Sequence, residues 1–90
     1  MTQVTDNAAE GRYELIESGE TAYADYRVEG GRMYVDYVFS PPALRGAGKA
    51  GRLMQGVAGD ARARGLKITP ICGYAAAWLR RHPEHADLLT

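Results

Sequence analysis

The run Arg45-Gly46-Ala47-Gly48-Lys49-Ala50-Gly51 puts glycines and two cations into one short stretch. Glycines let backbone N–H groups approach an anion with no Cβ in the way. A helix beginning at such a turn adds unpaired N–H groups and a partial positive charge. The chemistry this suits is the binding of a phosphate or pyrophosphate. A helix dipole supplies only ~0.3–1 kcal/mol per anion. Micromolar affinity, about −8 kcal/mol, therefore needs direct hydrogen bonds and apolar contacts with the rest of the ligand. The string also matches the dinucleotide pattern Gly46-x-Gly48-x-x-Gly51, but that pattern expects an acidic residue roughly 20 positions later. No acid stands between Asp60 and Glu84. A nucleoside-triphosphate loop fails as well, because it needs glycine at Ala43 and a hydroxyl at Ala50.

Cys72 is the one thiol. It falls at the end of a predicted strand, just before Gly73 and a helix start, where positive partial charge favours the nucleophilic thiolate. A lone cysteine is equally an ordinary small core residue. His82 and His85 have no third strong ligand nearby, and Pro83 breaks the helical geometry that would align them, so no metal is expected. His82 instead suits the terminal carbonyls of a helix. Most of the aromatic residues fall at period-two positions and read as sheet and core, without the basic interleaving that stacks nucleic-acid bases.

The elements that would position these groups follow from periodicity. Arg12–Ser18 reads as a strand closed by a turn at Ser18-Gly19. Ala22, Ala24, Tyr26 and Val28 alternate with Tyr23, Asp25, Arg27 and Glu29, Gly30-Gly31 supplies a hairpin turn, and Met33, Val35, Tyr37 and Phe39 alternate after it. Pro41-Pro42 ends this run of antiparallel strands. Ala50, Leu53, Met54, Val57, Ala58 and Ala61 then fall at helical spacing up to Gly65. Residues 67–72 read as a short buried strand and 73–82 as a helix ended by Pro83. The expected fold is α/β, a small mixed and mostly antiparallel sheet with two helices in the order β-β-β-α-β-α. Residues 1–10 are expected as a flexible tail and 11–90 as a single domain.

Ninety residues with 46% hydrophobic content suit one core and exclude a two-domain architecture. The formal charge is +0, so blanket basicity toward nucleic acid is absent. Residues 1–44 nevertheless carry three basic against eight acidic side chains, net −5, and residues 45–90 the reverse, net +5. A single cysteine fits a reducing compartment. No signal peptide or membrane span is apparent. The chain reads as cytoplasmic, with no membrane or nucleic-acid partner.

Arg45-Gly46-Ala47-Gly48-Lys49-Ala50 resembles the Arg/Gln-x-x-Gly-x-Gly/Ala signature of the GNAT superfamily of acyl-CoA-dependent acyltransferases. Together with Pro41-Pro42-Ala43-Leu44, Ile68-Thr69-Pro70-Ile71-Cys72, Arg81-His82-Pro83-Glu84 and Asp87-Leu88, it is similar to the minimal single-domain branch of that superfamily over roughly Arg12 to Leu88. The resemblance implies acetyl-CoA or CoA as acyl donor and an unidentified amine, small molecule or protein, as acceptor. It implies that Arg45, Gly46, Ala47, Gly48, Lys49 and Ala50 surround the pyrophosphate, with Gly51 in close approach. A strand splayed at Val38, Phe39 and Ser40 would pair with the pantetheine arm. It also implies a role for the thiol of Cys72, as transient acyl acceptor or beside the thioester. Tyr37 and Tyr74, each near the end of a predicted element, would flank the site, where a phenol can protonate a leaving thiolate. The chain departs from the branch at Tyr37 and Phe39, where a histidine and an acid are usual. That departure keeps a non-catalytic CoA-binding or protein-interaction module as the alternative.

Overall fold

The computed structural model describes residues 4–42 and 48–89. Five strands form one sheet in chain order: β1 (Val4–Asn7), β2 (Arg12–Glu17), β3 (Glu20–Glu29), β4 (Arg32–Phe39) and β5 (Lys67–Pro70). All pairs are antiparallel except β4–β5, which is parallel because helix α1 (Lys49–Ala63) crosses between them. Helix α2 (Gly73–Arg81) and a 3-10 turn (Pro83–Leu88) follow, and Leu89 bridges in parallel to Ile68. The mixed α/β fold is the one expected from the sequence.

The two hairpins are set by their turns. Ser18 and Gly19 have φ of 54° and 77°, and Gly30 and Gly31 have 58° and 78°. Paired positive φ values match the twist of two-residue hairpins, for which glycine has no steric cost. One face of the sheet buries Tyr13, Leu15, Ala22, Ala24, Met33, Val35 and Ile68. Against it pack Leu53, Met54, Val57, Ala58 and Ala61 of α1 and Ala75, Trp78 and Leu79 of α2 in one continuous core. Among the described residues no helix is long and apolar enough to cross a membrane.

Three sequence expectations are corrected. Residues 4–7, read as part of a flexible tail, form β1, which pairs with β2 from Val4↔Leu15 to Asn7↔Arg12. This edge is tied down by side chains: the Tyr26 hydroxyl donates to Asp6 at 2.6 Å, and Asn7 donates to Glu14 at 3.3 Å. Beside it the Tyr13 hydroxyl donates to Asp60 of α1. Second, the alternation Met33, Val35, Tyr37, Phe39 does not stay on one face. The register shifts so that Asp25 pairs Tyr37 but Tyr26 pairs Val35, leaving Asp36 as an extra residue. This bulge turns Val38 toward the core and puts Tyr37 and Phe39 on the outer face beside Tyr23. Third, the last strand stops at Pro70, and Ile71 is exposed.

Candidate active site

The β4–β5 ladder runs only from Arg32↔Lys67 to Val35↔Pro70. There the strands part. The N–H groups of Ile71 and Cys72 both donate to the Val35 carbonyl, at 3.0 and 3.1 Å, which closes the ladder and sends the chain away into α2. Beyond this point the remaining residues of β4 pair with β3 on one side only, among the described residues. The resulting fork holds a cavity of about 390 Å³ between the end of β4, the start of α1 and the start of α2.

Six sequence-designated residues line this cavity: Val38, Phe39, Ser40, Gly48, Ala50 and Gly51. Among the described residues Tyr37 and Tyr74 line it as well. Arg45, Gly46 and Ala47 lie outside the described residues, and of Lys49 only the backbone is described, as the first residue of α1. Gly48 has φ 70° and ψ 19°, a left-handed conformation costly for most side chains, and it caps α1 with no side-chain hydrogen bond. No acidic side chain stands in the first turn. Among the described residues nothing takes up the leading N–H groups of α1, which are suited to an anion at the mouth of the fork. Nothing among the described residues lies within 4 Å of where a Gly48 Cβ would sit. A Cβ on Gly51 would meet the Trp78 indole nitrogen at an ordinary 3.6 Å, so the protein interior alone does not demand glycine there.

Cys72 is the N-cap residue of α2, partly buried, with its carbonyl accepting from Ala76 N–H at 3.0 Å. It stands at the root of the fork and is not part of the cavity lining. Tyr74, two residues on, is. Burial raises the Tyr74 hydroxyl above the ordinary phenol pKa, against a smaller lowering by Arg81, so it is protonated at neutral pH.

The histidines serve the core. His82 Nδ1 lies 2.7 Å from the Trp78 carbonyl; because a carbonyl only accepts, that nitrogen carries the proton. Its ring stacks on Trp78 at 3.8 Å, and His85, 3.0 Å from the Gln55 side-chain oxygen, lies against the same indole. Among the described residues no cluster of three or more His, Cys, Asp or Glu could hold a metal. The sequence reading missed the bulge at Asp36, which puts an aromatic cluster beside the cavity. Its signal, a polar residue inside an apolar alternation, is too common to identify a bulge.

The fold recurs in a known structure. The solution structure of a GCN5-like protein from Staphylococcus aureus superposes with a TM-score of 0.77, covering 98% of this chain and 87% of that one at 23% identity. No curated protein matches the sequence. Residues 12–88, from β2 through the fork to the end of the 3-10 turn, match the family described as GCN5-related N-acetyltransferase. With nearly the whole fold inside that match, the chain belongs to the GCN5-related N-acetyltransferase family.

Proposed function

We propose that the fork binds acetyl-CoA and that the protein transfers its acetyl group to an amine. The observation that carries this reading is the meeting in one cavity of a strand edge paired on one side only and a glycine-capped helix N-terminus with no side-chain cap, both among the described residues. The edge of β4 at Val38 and Phe39, unpaired on this side among the described residues, offers backbone groups to an amide-bearing arm, and α1 offers N–H groups to a pyrophosphate. The cavity, at about 390 Å³, is within the usual range of small-molecule sites. In this reading Arg45, Gly46, Ala47 and Lys49 complete the pyrophosphate turn.

Acetyl-CoA brings its acetyl group as a thioester; transfer forms the amide C–N bond, breaks the C–S bond and moves a proton from nitrogen to sulfur. The Tyr74 hydroxyl, held protonated by burial on the cavity wall, is suited to place that proton on sulfur. Phe39 and Val38 add apolar surface to the cavity wall. The thiol of Cys72, at the root of the fork, is the second candidate for a role in transfer.

One observation favours a second reading, a CoA-binding module without turnover. Among the described residues, the cavity lining contains neither a carboxylate nor an imidazole to deprotonate an amine. Calorimetric titration with acetyl-CoA, CoA and NAD tests both. Saturable binding of acetyl-CoA and CoA, with none of NAD, is expected. No CoA affinity at millimolar ligand overturns both readings, whereas binding without release of CoA thiol in the presence of amines selects the second.

A further inference from the structure

We propose that Tyr37 and Asp25 form a cation subsite on the outer face of the sheet, and that the amine acetylated here carries a second ammonium group, as a linear diamine or polyamine does. The acceptor role rests on the acetyl-transfer reading above.

The outer face repeats one unit. The Arg12 guanidinium lies over the Tyr23 ring at 4.7 Å and is held by Glu14 at 2.7 Å. The Arg27 guanidinium lies over the Tyr34 ring at 4.3 Å and is held by Asp36 at 3.2 Å. Each unit is a tyrosine face and a carboxylate with a cation between them, an arrangement in which ring quadrupole and charge act together.

Tyr37 and Asp25 supply both halves of a third unit. They are direct partners across the β3–β4 ladder, which brings their Cβ atoms to ~4.5–5.5 Å. Tyr37 packs on Tyr23 with ring centres 6.2 Å apart, is 50% exposed and lines the cavity. Among the described residues no arginine or lysine lies over its ring. Asp25 makes no hydrogen bond or ion pair among them either. Its other ladder partner, Arg12, is held by Glu14 and lies over the Tyr23 ring, with Asp25 only a weaker electrostatic neighbour beyond hydrogen-bond reach.

None of the described residues supplies that cation, and the unit stands beside the cavity, where an amine bound near the fork would meet it. An exposed ring and one carboxylate suit one compact charge. That favours a small polycation over a protein surface. The net charge of −5 over residues 1–44 draws such a molecule toward this side.

The test is binding of putrescine against butylamine, which differ in one terminal ammonium, followed by protein NMR with and without CoA. Putrescine is expected to bind about tenfold more tightly, or ~1.4 kcal/mol. That preference falls below about twofold in Asp25→Asn and Tyr37→Leu. It persists in Tyr37→Phe, which keeps the ring, and in Glu29→Gln, which removes a distant surface charge. Equal affinity for the two amines, no saturable putrescine binding, or a preference unchanged in Asp25→Asn overturns the subsite. CoA titrated on the same sample separates the two readings. CoA binding without diamine preference overturns the subsite and leaves acetyl transfer standing. Diamine preference without CoA affinity overturns the acceptor role.

Discussion

Gly56 of α1 lies so close to Val4 of β1 that a Cβ on residue 56 would stand 2.5 Å from the Val4 Cβ. Alanine is the better helix former by about 1 kcal/mol, but overpacking costs ~1–3 kcal/mol. The clash is the larger effect. Gly56→Ala is therefore expected to lower stability by about 1 kcal/mol in urea unfolding, with faster amide exchange across Val4–Asn7. Adding Val4→Ala should restore part of the loss. A Gly56→Ala protein as stable as the parent would show that β1 does not pack on α1 as described.

Gly48 allows a separation of charge from shape at the helix N-terminus. Its φ of 70° is tolerated by asparagine and aspartate better than by other side chains. Aspartate at a helix N-terminus also favours the helix. Gly48→Asp should therefore be no less stable than Gly48→Asn, yet it sets a negative charge where the pyrophosphate is proposed to bind. CoA affinity by calorimetry is expected to be at least about tenfold weaker in the aspartate variant, ~1.4 kcal/mol. Equal affinities would move the pyrophosphate away from this turn.

Much of this architecture is legible in the sequence where one physical cause acts locally. Tyr13 and Leu15, or Ala22 and Ala24, alternate because a single face is buried, and the α1 spacing from Leu53 to Ala61 records one buried stripe. The paired positive φ values at Gly30 and Gly31 are announced by the glycines themselves. β1 is hidden for the opposite reason. Val4-Thr5-Asp6-Asn7 has one apolar residue, and what holds it lies far along the chain: Gly56, Tyr26 and the ladder with β2. Tyr37 and Tyr74 were visible as site candidates from their places at element ends. The face that Tyr37 occupies was not, because an uninterrupted alternation conceals the extra residue Asp36.

The proton donor can be separated from the thiol. Tyr74 lines the cavity and Cys72 does not. Tyr74→Phe is expected to keep CoA affinity and lower kcat by roughly a hundredfold, the lower end of general acid catalysis. Because burial raises this phenol, the parent's activity should fall only at alkaline pH, above the ordinary phenol value, and Tyr74→Phe should lose that limb. Cys72→Ala is expected to keep CoA affinity and stay within about threefold of parental kcat. A loss in Cys72→Ala as large as that in Tyr74→Phe would assign the thiol a part in transfer.

Acid stability should depend on the clamp between α1 and the C-terminal 3-10 turn. Arg62 donates to both oxygens of Asp87, at 2.8 and 2.9 Å, and to the Glu84 carbonyl at 3.1 Å, while Lys67 donates to the Asp87 carbonyl at 2.7 Å. The hydrogen bond from Arg62 is the main cause that pulls the Asp87 carboxyl from 3.8 to about 2. A group whose folded pKa is depressed contributes stability above its unfolded pKa and loses it as pH falls toward the folded value. The clamp should thus act fully at neutral pH and fade between 3.8 and about 2. Because the pair is exposed, the effect is small and screened by salt. Asp87→Asn is expected to lower the urea midpoint at pH 7 and to flatten the parent's decline below pH 4. A parent and variant with parallel acid limbs would show that the ion pair does not bear on folding.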